Sequence, residues 1–132
     1  MGEFKNIDEA RLFFEGDTFA KRSGIVINEL FDGGCVCSME ITDGHKNAAG
    51  GVMGGATFTL ADFAFAVAAN NVHKTTVVQN VSINFLSNTK GNMLYARAKC
   101  VKDGKTTCVY NVDITDEHGK HIAQFVGTGY KL

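Results

Sequence analysis

The sequence contains one long apolar segment, flanked by shorter segments in which apolar and polar residues alternate. Across residues 47–72, Asp62 is the only ionisable side chain, and residues 56–69 are almost all Ala, Phe, Leu, Val or Thr. An uninterrupted segment of this kind predicts a helix over about residues 54–70. Because apolar residues occur on every face, we expect this helix to be buried all round.

Alternation predicts strands on both sides of the helix. Two extended segments before it, joined by the turn Asp32-Gly33-Gly34, predict a hairpin. The Asp103-Gly104 dipeptide is a second hairpin signal. The predicted strands are residues 24–31, 35–41, 75–86, 92–102, 106–115 and 121–130. We expect the last four to form an antiparallel meander with one covered face.

Two further segments complete the prediction. Apolar residues at helical spacing over residues 7–15 predict a short amphipathic helix, and residues 42–53 form a Gly-rich loop. An all-apolar helix needs a curved sheet wrapped around it, which predicts a single α+β domain over residues 1–132. We expect one edge or face of this sheet to pair with a second subunit.

Composition excludes several classes of partner. The chain has 132 residues, of which 45% are hydrophobic and 20% charged, and its formal net charge is −1. This charge argues against nucleic acid and anionic membranes as partners. No apolar segment is long enough to span a membrane, and the charged N-terminus lacks a signal peptide, so we expect a cytoplasmic protein. The four cysteines are expected to be reduced and mostly buried, and no His or Cys has metal-ligand spacing.

Candidate chemistry lies around the start of the long helix. The Gly50-Gly51 and Gly54-Gly55 pairs allow close backbone approach. The first N–H groups of a helix have no intrahelical partner, so they suit an anion or a polarised carbonyl. Asp62 follows about two turns later. A carboxylate among apolar residues is costly to bury, and such groups are often functional.

The motif Asn47-x-x-Gly50-x-x-Met53-Gly54-Gly55-x-x-Phe58-x-Leu60-Ala61-Asp62 resembles the signature of hotdog-fold acyl-CoA thioesterases of the phenylacetate-pathway (PaaI-like) type. The similarity continues through Ser-Ile-Asn-Phe-Leu after the helix. It covers roughly residues 13–130. The resemblance implies the hotdog fold, a curved antiparallel sheet around one central helix, and self-association as a dimer or a dimer of dimers.

The resemblance also implies a function and a set of site residues. An acyl-CoA would be the substrate, with coenzyme A as part of it and no other cofactor. The Gly55 N–H would polarise the thioester carbonyl, and Asp62, from a neighbouring subunit, would act as general base or nucleophile. Asn47 would position the water or the carbonyl, although an Asx turn is the simpler reading of this residue.

One departure from the signature leaves an alternative open. Met53 replaces a His that helps to bind the thioester, and a thioether cannot donate a hydrogen bond. A non-catalytic acyl-CoA-binding or sensing protein is therefore the alternative, while a dehydratase would need a catalytic His. Lys102 and Lys105 could contact the CoA phosphates or be ordinary solvated hairpin charges. The residues expected to bind substrate are Met53, Gly54, Phe63, Asn84, Phe85, Lys102 and Lys105.

Overall fold

The structure is a computed structural model that describes residues 2–132. One long helix lies against a six-stranded antiparallel sheet and contacts all of its strands, which confirms the predicted α+β hotdog architecture. The helices are α1 (Ile7–Phe13), α2 (Thr18–Arg22) and α3 (Gly54–Val72). The strands are β1 (Ile25–Phe31), β2 (Gly34–Glu40), β3 (Thr76–Phe85), β4 (Met93–Asp103), β5 (Thr107–Asp116) and β6 (His121–Lys131).

The order of the strands differs from the predicted four-strand meander. The sheet order is β1-β2-β4-β5-β6-β3, so β3 pairs with β6, and β4 pairs with β2 instead of β3. Only β4, β5 and β6 form a meander. Alternation identifies a strand but not its partner, and the segment 86–92 is long enough to carry the chain across the sheet. The Asp103-Gly104 hairpin is confirmed, with the Gly104 N–H bonded to the Thr107 carbonyl at 2.9 Å.

The core lies between α3 and the concave face of the sheet. Alanines along α3 bring its backbone close to the strands, and larger side chains fill the remaining space. The Phe65 ring meets the Tyr110 ring edge-on at 5.7 Å. All four cysteines are free; Cys35 is fully buried, and its thiol donates to the Ala64 carbonyl at 3.2 Å. None of the helices within residues 2–132 has the length and apolar character needed to cross a membrane.

One face of α3 is left partly open, contrary to the prediction that the helix is buried all round. Gly55 is exposed, and Thr59, Asp62 and Ala66 are half-buried. These four residues, spaced by three or four positions, form one stripe along the helix, which we call the open stripe. It is open because the sheet covers only one side of α3. Complete burial was therefore the wrong prediction for a single chain.

The N-terminal segment packs across α3 and β1. The predicted helix 7–15 is observed as α1 followed by a 3₁₀ turn, Phe14–Gly16, whereas α2 was not predicted. The Phe14 ring packs edge-on against Phe63 of α3 at 5.4 Å. The Arg11 guanidinium donates two hydrogen bonds, of 2.7 and 3.1 Å, to the Ile27 carbonyl on the edge of β1. The N-terminal segment therefore covers one edge of the sheet.

The close packing of β6 against the core gives a first prediction. A Cβ atom at Gly129 would lie 2.8 Å from both Cys108 Sγ and Thr76 Cγ2, and 3.0 Å from Phe65 Cζ. Gly129→Ala should therefore lower the free energy of unfolding by about 1–3 kcal/mol, because a close-packed core resists added volume. Equilibrium urea unfolding measures this change.

Gly16→Ala is the matched control, because nothing lies within 4 Å of the added methyl group. It should change the free energy of unfolding by less than about 0.5 kcal/mol. Equal stability of the two variants would contradict the tight fit of β6 at Gly129.

Candidate active site

The loop 41–53 before α3 is held in place by His45. The His45 Nε2–H donates to the Ser23 carbonyl at 2.8 Å, so Nδ1 is the acceptor for the Thr42 N–H at 3.0 Å. The His45 carbonyl in turn accepts from the Met53 N–H at 2.8 Å. This histidine therefore fixes both the loop and the first residue before α3. Its role was not identified from the sequence, because its partner at residue 23 is far away in the chain.

Asn47 forms the tight turn inside this loop. Its side-chain oxygen accepts from the N–H groups of Ala49 and Gly51, at 3.0 and 3.1 Å. Gly50 has a φ of 86°, a conformation that favours glycine. The Asx turn considered for Asn47 is therefore present. Within residues 2–132 its side-chain NH₂ group has no hydrogen-bond partner and stays available to a ligand.

The first N–H groups of α3 are open at the end of this loop. Within residues 2–132, no acceptor receives the N–H of Gly54 or Gly55. Gly55 is exposed, and the exposed Met53 side chain lies beside it, with Cγ 3.8 Å from the position of a Gly55 Cβ. Such free N–H groups at the positive end of a 19-residue helix can polarise a carbonyl oxygen.

Asp62 lies on the open stripe, farther along the helix. Partial burial raises the pKa of its carboxyl group above the ordinary value, and the nearby charge of Asp17 raises this pKa further. Asp62 is seven positions after Gly55 in the helix, which is about 10 Å along the helix axis. Within one chain, the carboxylate and the free N–H group therefore cannot act on the same carbonyl.

The two predicted aromatic contacts lie in different cavities. Phe63 is buried and lines a cavity of about 190 Å³ between the N-terminal segment and β1. Phe85 is exposed and packs against Gly54, where it lines a cavity of about 210 Å³ next to the start of α3. Asn84 precedes Phe85 on β3 and points to the opposite face of the sheet.

Lys102 and Lys105 lie at the far end of the sheet. Both are exposed on the β4–β5 hairpin. The registers place this hairpin at the end where α3 finishes, whereas Gly55 is at the end where α3 begins. One chain therefore does not bring these lysines to the free N–H groups of α3.

Two acidic residues that were not singled out in the sequence organise the loop 86–92. The buried Asp116 accepts from the Thr89 hydroxyl at 2.7 Å, and this bond is the main cause of its lowered pKa. Glu117 accepts from the N–H groups of Asn92 and Met93, at 2.7 and 3.3 Å. Together they hold Thr89 at the cavity beside Gly54. Their role is structural, and the turn between β5 and β6 is closed by the Gly119 N–H, which donates to the Asp116 carbonyl at 3.0 Å.

Comparisons with known proteins identify the family of this domain. The model of the Thioesterase superfamily matches residues 49–123, from the loop before α3 into β6. The acyl-coenzyme A thioesterase PaaI of Escherichia coli is 34% identical over 124 residues, which is 93% of this chain and 89% of that protein. This chain belongs to the thioesterase superfamily.

Solved thioesterase-family structures agree with this assignment. The structure of the E. coli PaaI protein from the phenylacetic acid degradation operon superposes with a TM-score of 0.89, at 33% identity and with 93% of this chain and 90% of that chain covered. A hypothetical thioesterase with coenzyme A from Streptococcus pneumoniae gives a TM-score of 0.81, at 28% identity, with coverage of 89% and 94%.

The state of the Asp62 carboxyl in this thioesterase gives a second prediction. Its pKa is raised in the folded protein, whereas an unfolded chain ionises it near pH 3.9. The free energy of unfolding therefore falls as the pH rises above about 4. It stops falling once the carboxyl group of the folded protein has also ionised. Asp62→Asn should be more stable than the wild type at neutral pH, and this difference should vanish near pH 3.

Urea unfolding of both proteins at several pH values tests this expectation. A difference in the free energy of unfolding that does not depend on pH would show that Asp62 is not desolvated in the folded protein.

Proposed function

We propose that this protein hydrolyses acyl-CoA thioesters to a free acid and coenzyme A. The observation that carries the proposal is the exposed, unpaired N–H of Gly55 at the start of α3, together with the half-buried carboxylate of Asp62 on the same helix. The E. coli relative is named an acyl-coenzyme A thioesterase, and the S. pneumoniae structure contains coenzyme A. These names favour hydrolysis over the binding or sensing role considered above.

In the proposed reaction, the Gly55 N–H donates to the thioester carbonyl oxygen and stabilises the charge that develops there. Asp62, as general base, removes a proton from water while the water oxygen adds to the carbonyl carbon. The tetrahedral intermediate then collapses, the C–S bond breaks, and the thiolate of coenzyme A leaves and takes up the proton held by Asp62, which restores the carboxylate. Alternatively, the Asp62 carboxylate itself attacks the carbonyl carbon, the C–S bond breaks as the thiolate of coenzyme A leaves, and water hydrolyses the resulting anhydride to the free acid and Asp62.

The site needs two copies of the chain, because Gly55 and Asp62 are about 10 Å apart along one rigid helix. Within the described chain, the outer edge of β3 pairs with no strand, whereas the edge of β1 is covered by the N-terminal segment. An unpaired edge strand readily accepts another strand. We propose that a second copy packs at β3 and brings its Asp62 to this Gly55, in a dimer or a dimer of dimers.

The other site residues fit this scheme in specific ways. The free NH₂ group of Asn47 would donate to the thioester or to the attacking water. Met53, Gly54 and Phe85 would contact the substrate beside the free N–H groups. Phe63 would contact an apolar acyl group near Asp62, while Asn84, Lys102 and Lys105 would contact coenzyme A bound mainly by a neighbouring copy.

A third prediction tests the role of the carboxylate. Asp62→Asn should lower kcat/KM for acyl-CoA hydrolysis by at least about 100-fold, because the amide cannot accept the proton of the water. Release of the free thiol of coenzyme A from a panel of acyl- and aryl-CoA substrates measures the rate.

Ala66→Ser is the control, since it changes the next turn of the open stripe and leaves the carboxylate intact. It should retain activity within a few-fold. If wild-type protein hydrolyses no acyl-CoA but binds a non-hydrolysable CoA analogue in calorimetry, the binding or sensing role is correct. Turnover by a protein that remains monomeric would contradict the two-chain site.

A fourth prediction concerns Met53. Met53→His should raise kcat/KM by about tenfold, because an imidazole beside Gly55 can add one hydrogen bond to the bound thioester, worth about 1.4 kcal/mol. Met53→Leu is the control, since it keeps an apolar side chain of similar size and should leave the rate nearly unchanged. Equal kcat/KM values for Met53→His and Met53→Leu would show that an imidazole at this position does not speed up hydrolysis.

A further inference from the structure

A third cavity lies between the loop 41–53 and the loop 86–92, and two lysines line it. Its volume is about 300 Å³, with Lys46 on the side of the first loop and Lys90 on the side of the second. We call it the lysine cavity. We propose that it binds the diphosphate of coenzyme A, so that the chain whose Gly55 holds the thioester also holds the phosphates. This inference rests on the proposed function and adds a phosphate site to it.

The lysine cavity adjoins the cavity beside Gly54. Val52 and Thr89 line both cavities and form the boundary between them. A substrate whose thioester lies at the first N–H groups of α3 therefore passes Val52 and Thr89 to enter the lysine cavity. Its acyl group extends in the other direction, along the helix.

The backbone places Lys46 beside this boundary. Lys46 and Val52 form an isolated antiparallel bridge. Backbone hydrogen bonds flank the pair, as that from the Met53 N–H to the His45 carbonyl does at 2.8 Å. In such a non-hydrogen-bonded pair the Cα atoms are about 4.5 Å apart, and the two side chains lie close together.

The length of coenzyme A matches the path from Gly55 to Lys46. Gly55 is three positions after Val52, so the Cα atoms of Gly55 and Lys46 are at most about 15 Å apart. The pantetheine arm between the sulfur and the diphosphate has about as many bonds as four residues of backbone, which span up to about 14 Å. A diphosphate at the end of this arm is therefore within reach of the lysine ammonium group.

Both loops bring a positive charge to the cavity. Lys46 is the only ionisable residue across positions 46–61, and Lys90 is the only one across positions 86–92. Both side chains are exposed, and in the part of the chain that the structure describes neither forms an ion pair. The nearby Glu117 carboxylate is bound to the N–H groups of Asn92 and Met93 instead. Two unpaired ammonium groups on opposite walls suit an anion with two negative charges.

Hydrogen bonds fix the walls of the lysine cavity. The Ile41 N–H donates to the Asn92 carbonyl at 2.8 Å and joins the two loops. The Gly91 N–H donates to the Thr89 hydroxyl oxygen at 2.8 Å, and this hydroxyl donates to Asp116 at 2.7 Å. Binding of a phosphate therefore has to order only the lysine side chains, which reduces its entropic cost.

The first experiment compares three substrates with the same acyl group. In the double variant Lys46→Gln/Lys90→Gln, KM for acyl-CoA should rise about tenfold with kcat unchanged, because two exposed ionic contacts are each worth a few-fold. KM should rise equally for acyl-dephospho-CoA, which keeps the diphosphate and lacks the 3′-phosphate. KM for acyl-pantetheine, which has neither, should not change.

Lys99→Gln is the matched control, because it removes an equally exposed and unpaired charge from β4. It should leave KM unchanged for all three substrates. A rise in the double variant that also occurred with acyl-pantetheine would contradict phosphate binding. A rise with acyl-CoA alone would assign the lysines to the 3′-phosphate and overturn the diphosphate site.

Calorimetry with coenzyme A separates this inference from the proposed function. The double variant should bind coenzyme A about tenfold more weakly than the wild type and Lys99→Gln, whether or not the protein hydrolyses an acyl-CoA. Added salt should weaken binding more in the wild type than in the double variant. Equal Kd values, or no binding to the wild type, would overturn the role of the lysine cavity, and the activity of Asp62→Asn decides the proposed function separately.

Discussion

The burial of α3 against the concave face of the sheet is the constraint on which the rest of the structure depends. The helix consists mainly of small apolar residues, so its backbone lies close to the strands. On the sheet, Gly127 and Gly129 leave room for the Phe65 ring, whose atoms lie 3.0 Å from where a Cβ would be at either position. This packing fixes the axis of α3, and thereby the positions of its N-terminal N–H groups and of Asp62.

A helix held in this way keeps its first N–H groups and the Asp62 carboxylate at a fixed separation. The rise of about 1.5 Å per residue cannot change, and the first N–H groups point out of the end of the helix, away from Asp62. A change of side-chain rotamer cannot close this gap. In a single chain, the open stripe and the unpaired edge of β3 remain uncovered. A second copy that packed on these surfaces would bring the Gly55 N–H of one chain to the Asp62 carboxylate of the other.

The loop before α3 orients the first N–H groups of the helix without using charged side chains. His45 is clamped between Ser23 and Thr42, and Asn47 closes a tight turn, so the N–H groups of Gly54 and Gly55 are presented in a fixed direction. Fixed backbone dipoles stabilise a developing negative charge without reorganisation during the reaction. The proposed catalysis therefore depends less on the side chain at Met53 than on the backbone beside it.

The sequence by itself determined the elements of this protein and the residues of its motif. The uninterrupted apolar segment identified the central helix, alternation identified the strands to within one or two residues, and the glycine pairs identified the start of α3. These features are local, because each depends on the spacing of neighbouring residues. Short-range patterns of this kind can be recognised in the sequence without knowing how the rest of the chain folds.

Only the tertiary structure decided which elements meet. It placed β4 beside β2, left one stripe of α3 open, connected His45 to Ser23, and packed Phe14 against Phe63. Each of these contacts joins residues far apart in the chain. Spacing along a sequence carries no information about such pairs, because they form only when the whole core is packed.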